Sequence, residues 1–240
     1  MTQQATPGPI ALVGSGEYLE VMAPVEGALL AGRAPRYVQL ATAAVPDGHD
    51  VVERWHRLGR AQADRLGVEA IIVPVNSRED ADDERLAALI GEPGLIYLSG
   101  GDPTYLADTL RDTLVWRAIV SAWSNGSALA GCSAGAMAMA AKVPSWRDPT
   151  RTSTPGLGLL AHVQVIPHFD RIRERWGNLV EQSRLVADPD VALIGIDEDT
   201  AIVGGVSEWQ VQGRQSAWQL GPELIEFRHG ELMTTPPRAS

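Results

Sequence analysis

The stretch Ser127-Ala-Leu-Ala-Gly-Cys-Ser-Ala-Gly-Ala-Met-Ala-Met-Ala140 decides how the chain is read. Its first half is small and apolar and ends at Gly131, as suits a buried parallel strand. Its second half is rich in Ala and Met, with no breaker after Gly135, as suits a helix. Gly131-Cys132-Ser133-Ala134-Gly135 lies between them, a G-x-S-x-G pattern at a strand-to-helix junction. Such a turn is so sharp that its middle residue adopts a strained backbone and presents its hydroxyl over the sheet edge. A Cβ at either flanking glycine would meet the opposite arm of the turn. The start of the following helix offers unpaired N–H groups to a developing oxyanion. A plain glycine turn with an incidental serine is the alternative; the strand–turn–helix setting favours Ser133 as a nucleophile.

Working outward, apolar runs and amphipathic segments alternate. Ile10–Gly14, Arg36–Ala41, Glu69–Pro74 and Gly94–Leu98 read as strands. Glu17–Gly32 and Asp50–Leu66 read as helices. Gly14-Ser15-Gly16 lacks the third glycine of a dinucleotide fingerprint and reads as a tight turn after a central strand. Asp102 as N-cap with Pro103 behind it starts a helix, along which Leu106, Leu110, Leu114 and Ala118 mark one face as far as Asn125-Gly126. This alternation to about residue 142 predicts an α/β fold, a doubly wound, mainly parallel sheet flanked by helices. Ligands of such sheets gather at the carboxyl ends of the strands. Beyond it, 143–158 reads as a loop, His162–Ile166 as a strand, Asp170–Val186 as a helix and Val191–Ile196 as an apolar run. Thr200–Gly204, Glu208–Gly213, Ala217–Leu220 and Leu224–Arg228 follow as a C-terminal antiparallel meander. One domain over 1–240 is expected, with disordered ends at about 1–8 and 234–240.

Composition narrows the function. The 240 residues are 45% hydrophobic and 21% charged, ordinary for a globular chain with a sizeable core. A net charge of −10 argues against nucleic acid or an anionic membrane as partner. No stretch approaches the roughly 20 apolar residues of a membrane span, and the N-terminus carries no signal-peptide pattern. The single cysteine, Cys132, excludes an intramolecular disulfide and fits a reducing compartment, so a cytoplasmic protein is expected.

A serine nucleophile needs a base, an acid that orients the base, and oxyanion donors. Of five histidines, His168 directly follows a predicted strand and so is expected at the same sheet edge as Ser133. Leu98-Ser-Gly-Gly-Asp102, the Ser133 turn, Pro167-His-Phe169 and Gly195-Ile-Asp-Glu-Asp-Thr-Ala201 then occur in the order found in the serine peptidases that include dipeptidase E and cyanophycinase. The chain resembles that family over about residues 10–205. The resemblance implies a fold like class I glutamine amidotransferases, Ser133 as nucleophile, His168 as base, and the N–H groups of Gly101 and Ala134 as oxyanion donors. For the acid it points to Asp148, in Trp146-Arg-Asp-Pro149, with Asp197 and Glu198 as alternatives.

Substrate contacts are expected from Asp102, Arg173 and Arg175. The match to cyanophycinases weakens there: Asn178 stands where a third arginine would fall, and Pro103 follows Gly-Gly-Asp. Arg171 reads as surface decoration. The expected substrate is a dipeptide or short peptide, with an acidic residue as an option. Hydrolysis of an Asp-Arg polymer, or a catalytically silent sensor on the same fold, are the alternatives. An α/β-hydrolase esterase fits poorly, because His168 follows Ser133 by only 35 residues with 72 still to come. No cofactor or metal is expected; a homodimer is an open option.

Overall fold

The computed structural model describes residues 6–144, 153–175, 191–205 and 207–235. Five parallel strands form the centre: β1 (Ile10–Val13), β2 (Arg36–Leu40), β3 (Glu69–Ile72), β4 (Leu95–Leu98) and β5 (Ala128–Cys132). Around them lie the helices α1 (Ala23–Leu30), α2 (His49–Leu66), α3 (Arg78–Ala81), α4 (Glu84–Ile90), α5 (Pro103–Leu110), α6 (Leu114–Ser124) and α7 (Ala134–Ala138). β1, β4 and β5 are continuous buried runs of apolar and small residues because helices cover both faces. Period-two alternation divides them. Ile10, Leu12, Ile96 and Leu98 enter one core; Ala11, Val13, Leu95, Tyr97 and Cys132 enter the other.

After a short hairpin of β6 (Lys142–Pro144) and β7 (Ser153–Pro155), the chain builds β8 (Val163–Ile166), β9 (Ala192–Ile196), β10 (Thr200–Gly204), β11 (Glu208–Gly213), β12 (Ala217–Leu220), β13 (Leu224–Phe227) and β14 (Leu232–Thr234). These strands do not form one meander. β10, β11 and β14 extend the central sheet antiparallel beyond β1, giving the order β14-β11-β10-β1-β5-β4-β2-β3. The others form a second sheet, β13-β12-β9-β8. The strand before His168 therefore lies outside the Ser133 sheet, a correction to the expected single edge. The β9–β10 turn crosses from one sheet to the other.

Three other expectations change. The helix expected from Pro103 to Ser124 breaks at residues 111–113, where Asp112 adopts φ 64° and Thr113 begins α6 by accepting from the Trp116 N–H. The first part of the first predicted helix is replaced by a turn at 17–19 and a 3₁₀ turn at Glu20–Met22, leaving α1 half the expected length. The chain is tied down further out than expected: the Gly8 N–H donates to the Trp123 carbonyl, and Thr235 N–H to that of Ser207.

Candidate active site

Ser133 follows β5 immediately, with φ 48° and ψ −106°. A Cβ on Gly131 would lie 2.5 Å from the Gly135 backbone, and one on Gly135 2.2 Å from the Leu98 carbonyl oxygen. Both positions therefore require glycine, and the strained serine between them is held by its neighbours. The Ser133 N–H donates to the Val13 carbonyl. Ser133 occupies the N-cap of α7, but its side chain makes no capping bond. Its Oγ lies 3.1 Å from Nε2 of His168 instead.

His168 comes from the second sheet, two residues past the end of β8. β8 and β9 are parallel neighbours with Ile166 opposite Gly195. The segments leaving the two strands therefore travel together, and Glu198, two residues past β9, meets the ring. Its Oε1 lies 3.0 Å from His168 Nδ1. A neutral imidazole with its proton on Nδ1 donates to Glu198 and leaves Nε2 to accept from Ser133.

Glycines bring the two sheets this close. A Cβ on Gly14 would lie 2.2 Å from the Asp197 carbonyl oxygen, and one on Gly16 2.4 Å from Asp199 Oδ1. The tight turn expected at Gly14–Gly16 is thus the seat of the Glu198 turn, fastened by the Asp199 N–H to the Ser15 carbonyl. The Glu198 N–H donates to Asp170 Oδ1, and Arg171 Nε lies 3.4 Å from Glu198 Oε2. Arg171, read from sequence as decoration, lies against that carboxylate.

Asp197 serves a different purpose. It is buried and accepts from the Trp218 indole N–H and the Ser216 N–H. Burial pushes its carboxyl up, opposed by the Trp218 bond. Asp148, expected as the acid, lies outside the described residues; the carboxylate at Nδ1 of His168 is Glu198. Two features were missed in the sequence: the sheet order that makes Glu198 the nearer carboxylate, and Glu17. Glu17 is buried, with one oxygen 3.0 Å from the Gly100 nitrogen and the other 2.7 Å from Cys132 Sγ.

The Gly100-Gly101 turn ends β4 beside Ser133: a Cβ on Gly100 would lie 3.6 Å from Ser133 Cβ. Among the described residues the Gly101 N–H has no protein acceptor, and Ala134 N–H starts α7. Ala134 adjoins Ser133 in the chain, and Gly101 follows Gly100. Asp102 caps α5, accepting from Thr104 and Tyr105 N–H, and borders a groove of about 530 Å³ lined also by Pro46, Ser77 and Arg78. Residues 169–175 are helical. On them, Arg173 places its guanidinium carbon 4.0 Å from the centre of the Trp218 ring, and Arg175 is exposed. No group of three or more His, Cys, Asp or Glu among the described residues could hold a metal ion.

The family model of peptidase family S51 matches residues 10–210. The chain belongs to peptidase family S51. A relative, the cyanophycinase of Trichormus variabilis, is 31% identical over 210 residues, spanning 82% of this chain and 67% of its own. The crystal structure of a peptidase from an acI-B1 Actinobacterium is 41% identical, with a TM-score of 0.87 over 97% of this chain and 98% of the other. A candidate Peptidase E protein from Listeria monocytogenes EGD-e, 18% identical, shares the fold with a TM-score of 0.61 over 93% of this chain and 99% of that one. This S51 chain is accordingly a serine peptidase, a hydrolase on a mixed α/β fold. No helix of its described residues is long and apolar enough to cross a membrane.

Proposed function

We propose that the chain hydrolyses a dipeptide or short peptide through Ser133, His168 and Glu198, by way of an acyl-enzyme. The observation that carries this reading is the pair of contacts through one imidazole, 3.1 Å to Ser133 and 3.0 Å to Glu198. His168 Nε2 takes the Ser133 proton as Oγ attacks the peptide carbonyl, and Glu198 stabilises the imidazolium. The oxyanion accepts from Gly101 and Ala134 N–H. His168 then gives its proton to the leaving amine. A water molecule, deprotonated by the same ring, releases the acid and restores Ser133.

Arg173 supports an acidic substrate side chain. It leaves the helix that His168 precedes and is steadied on the Trp218 face, and a guanidinium can meet a carboxylate through two parallel contacts. The likeness to the Trichormus cyanophycinase favours an Asp-Arg polymer as a second reading. The buried thiol of Cys132 supports a cytoplasmic setting. A fluorophosphonate label on wild type and on Ser133→Ala, followed by a panel of acidic and neutral dipeptides and cyanophycin, tests the proposal. Labelling of wild type alone, with turnover of acidic dipeptides, is expected; equal labelling of both proteins would refute it.

A further inference from the structure

Glu17 is a buried carboxylate with no part in the proton transfers above, yet it lies beneath the turns that would perform them. It follows the end of β1, and its two oxygens reach different neighbours. Oε1 accepts from the Gly100 N–H at 3.0 Å, and Oε2 accepts from the Cys132 thiol at 2.7 Å. Gly100 precedes the oxyanion donor Gly101, and Cys132 precedes Ser133. One side chain thus spans the two turns, and a Cβ on Gly100 would come within 2.8 Å of it.

The next residue tightens the same grip. Tyr18 adopts φ 64°, a conformation costly to a bulky residue and kept only where the surroundings fix it. Its ring is buried against Tyr97, and its hydroxyl lies 2.6 Å from Ser99 Oγ. Gln39 Nε2 donates to that same oxygen at 2.9 Å. On the far side of Gly101, the Asp102 N–H donates to the Ala43 carbonyl at 2.7 Å. The peptides on both sides of the Gly101 N–H are therefore anchored, while that N–H keeps no protein acceptor among the described residues. An oxyanion donor acts through such fixed orientation, since it then needs no rearrangement when charge develops.

We infer that Glu17 is a positioning residue for hydrolysis, its carboxylate setting the Gly101 N–H against Ser133 by bridging Gly100 and Cys132. This rests on the hydrolytic reading above. It calls for the bridge's length and an acceptor oxygen at Gly100 rather than for charge: a glutamine amide can accept from the Gly100 N–H and donate to the Cys132 sulfur, whereas aspartate, one methylene shorter, cannot span both.

The test compares wild type, Glu17→Gln, Glu17→Asp and Glu17→Ala, each first checked for a cooperative thermal transition. Exchange of the Gly100 amide hydrogen is followed by NMR, together with kcat, KM and the rate of fluorophosphonate labelling at Ser133. In the aspartate and alanine variants, Gly100 exchange should accelerate at least about tenfold, and kcat and labelling should fall about 10–100-fold with KM unchanged. Glu17→Gln should stay within about fivefold of wild type, so a failure of the alanine variant to fold leaves the aspartate–glutamine contrast to decide. A folded aspartate variant that labels at the wild-type rate, or a glutamine variant as slow as the aspartate one, would overturn the role. Wild type that takes no label at Ser133 would instead refute the hydrolytic reading, and this role with it.

Discussion

The ring of Phe169 lies directly on Gly195, so close that a Cβ at residue 195 would come within 2.4 Å of a ring carbon. Phe169 is buried and also meets Trp218 at 6.0 Å between ring centres. It follows His168, whose φ of 50° is as unusual as that of Ser133. The missing side chain at Gly195 thus lets Phe169 seat in the second sheet and hold the imidazole between Ser133 and Glu198. Gly195→Ala should cost about 1–3 kcal/mol of stability through overpacking, measured by urea unfolding. It should also lower kcat by at least about tenfold in the folded protein, because a displaced Phe169 carries His168 with it.

Cys132 neighbours Ser133 and invites assignment as the reactive group. Burial, and next the charge of Glu17, push its thiol well above the ordinary cysteine range. It therefore remains a protonated donor to Glu17 rather than a thiolate. Iodoacetamide at pH 8 should leave the native protein unmodified and alkylate it once unfolded, as read by intact mass. Cys132→Ser, which keeps a donor for Glu17, should retain activity within a few-fold.

Glu26 makes stability pH-dependent. Burial, opposed by the Tyr37 hydroxyl that donates to it, pushes its carboxyl up to about 7. A folded pKa above the unfolded one means the folded state favours the proton. The stabilisation is complete below the unfolded value and is lost as pH rises through about 7. Across that window the loss is on the order of 3 kcal/mol. Glu26→Gln keeps an acceptor for Tyr37 and cannot ionise. Its melting temperature should gain on wild type from pH 5 to about pH 7 and level off above that, and a constant difference across the range would count against this account.

Arg173 separates binding from structure. If its guanidinium meets a substrate carboxylate, Arg173→Ala should raise KM for an acidic dipeptide by about 1.5–3 kcal/mol in binding terms, and for a neutral dipeptide far less. Equal changes for both would assign Arg173 to packing on Trp218.

What could be read from the sequence follows the range of the interactions. The Ser133 turn is written in five consecutive residues, since both glycines answer clashes within the turn or with the adjacent strand β4. The parallel strands are legible because burial on both faces demands unbroken apolar runs. Glu198 is a non-local matter: only the pairing of β8 with β9 makes it, rather than its neighbour Asp197, the partner of His168. Asp197 and Glu198 point opposite ways, one toward Trp218 and one toward the imidazole, and spacing alone cannot choose between them. The division of the C-terminal strands into two sheets escapes for the same reason, since short hairpin-like runs do not name their partners. Glu17 escapes because a buried carboxylate in a turn resembles a solvated one until Gly100 and Cys132 are in place.

The identity of the orienting acid is where the proposed mechanism is most exposed. The second-order rate of fluorophosphonate modification at Ser133 needs no knowledge of the substrate and reports the nucleophile, base and acid together. It should be measured for wild type, Glu198→Gln and Asp148→Asn, each with its melting temperature. Loss of the carboxylate that fixes the histidine tautomer should slow Glu198→Gln by about two to four orders of magnitude. Asp148→Asn should react within about threefold of wild type. A folded Glu198→Gln that labels at the wild-type rate while Asp148→Asn collapses would contradict the assignment and make Asp148 the acid.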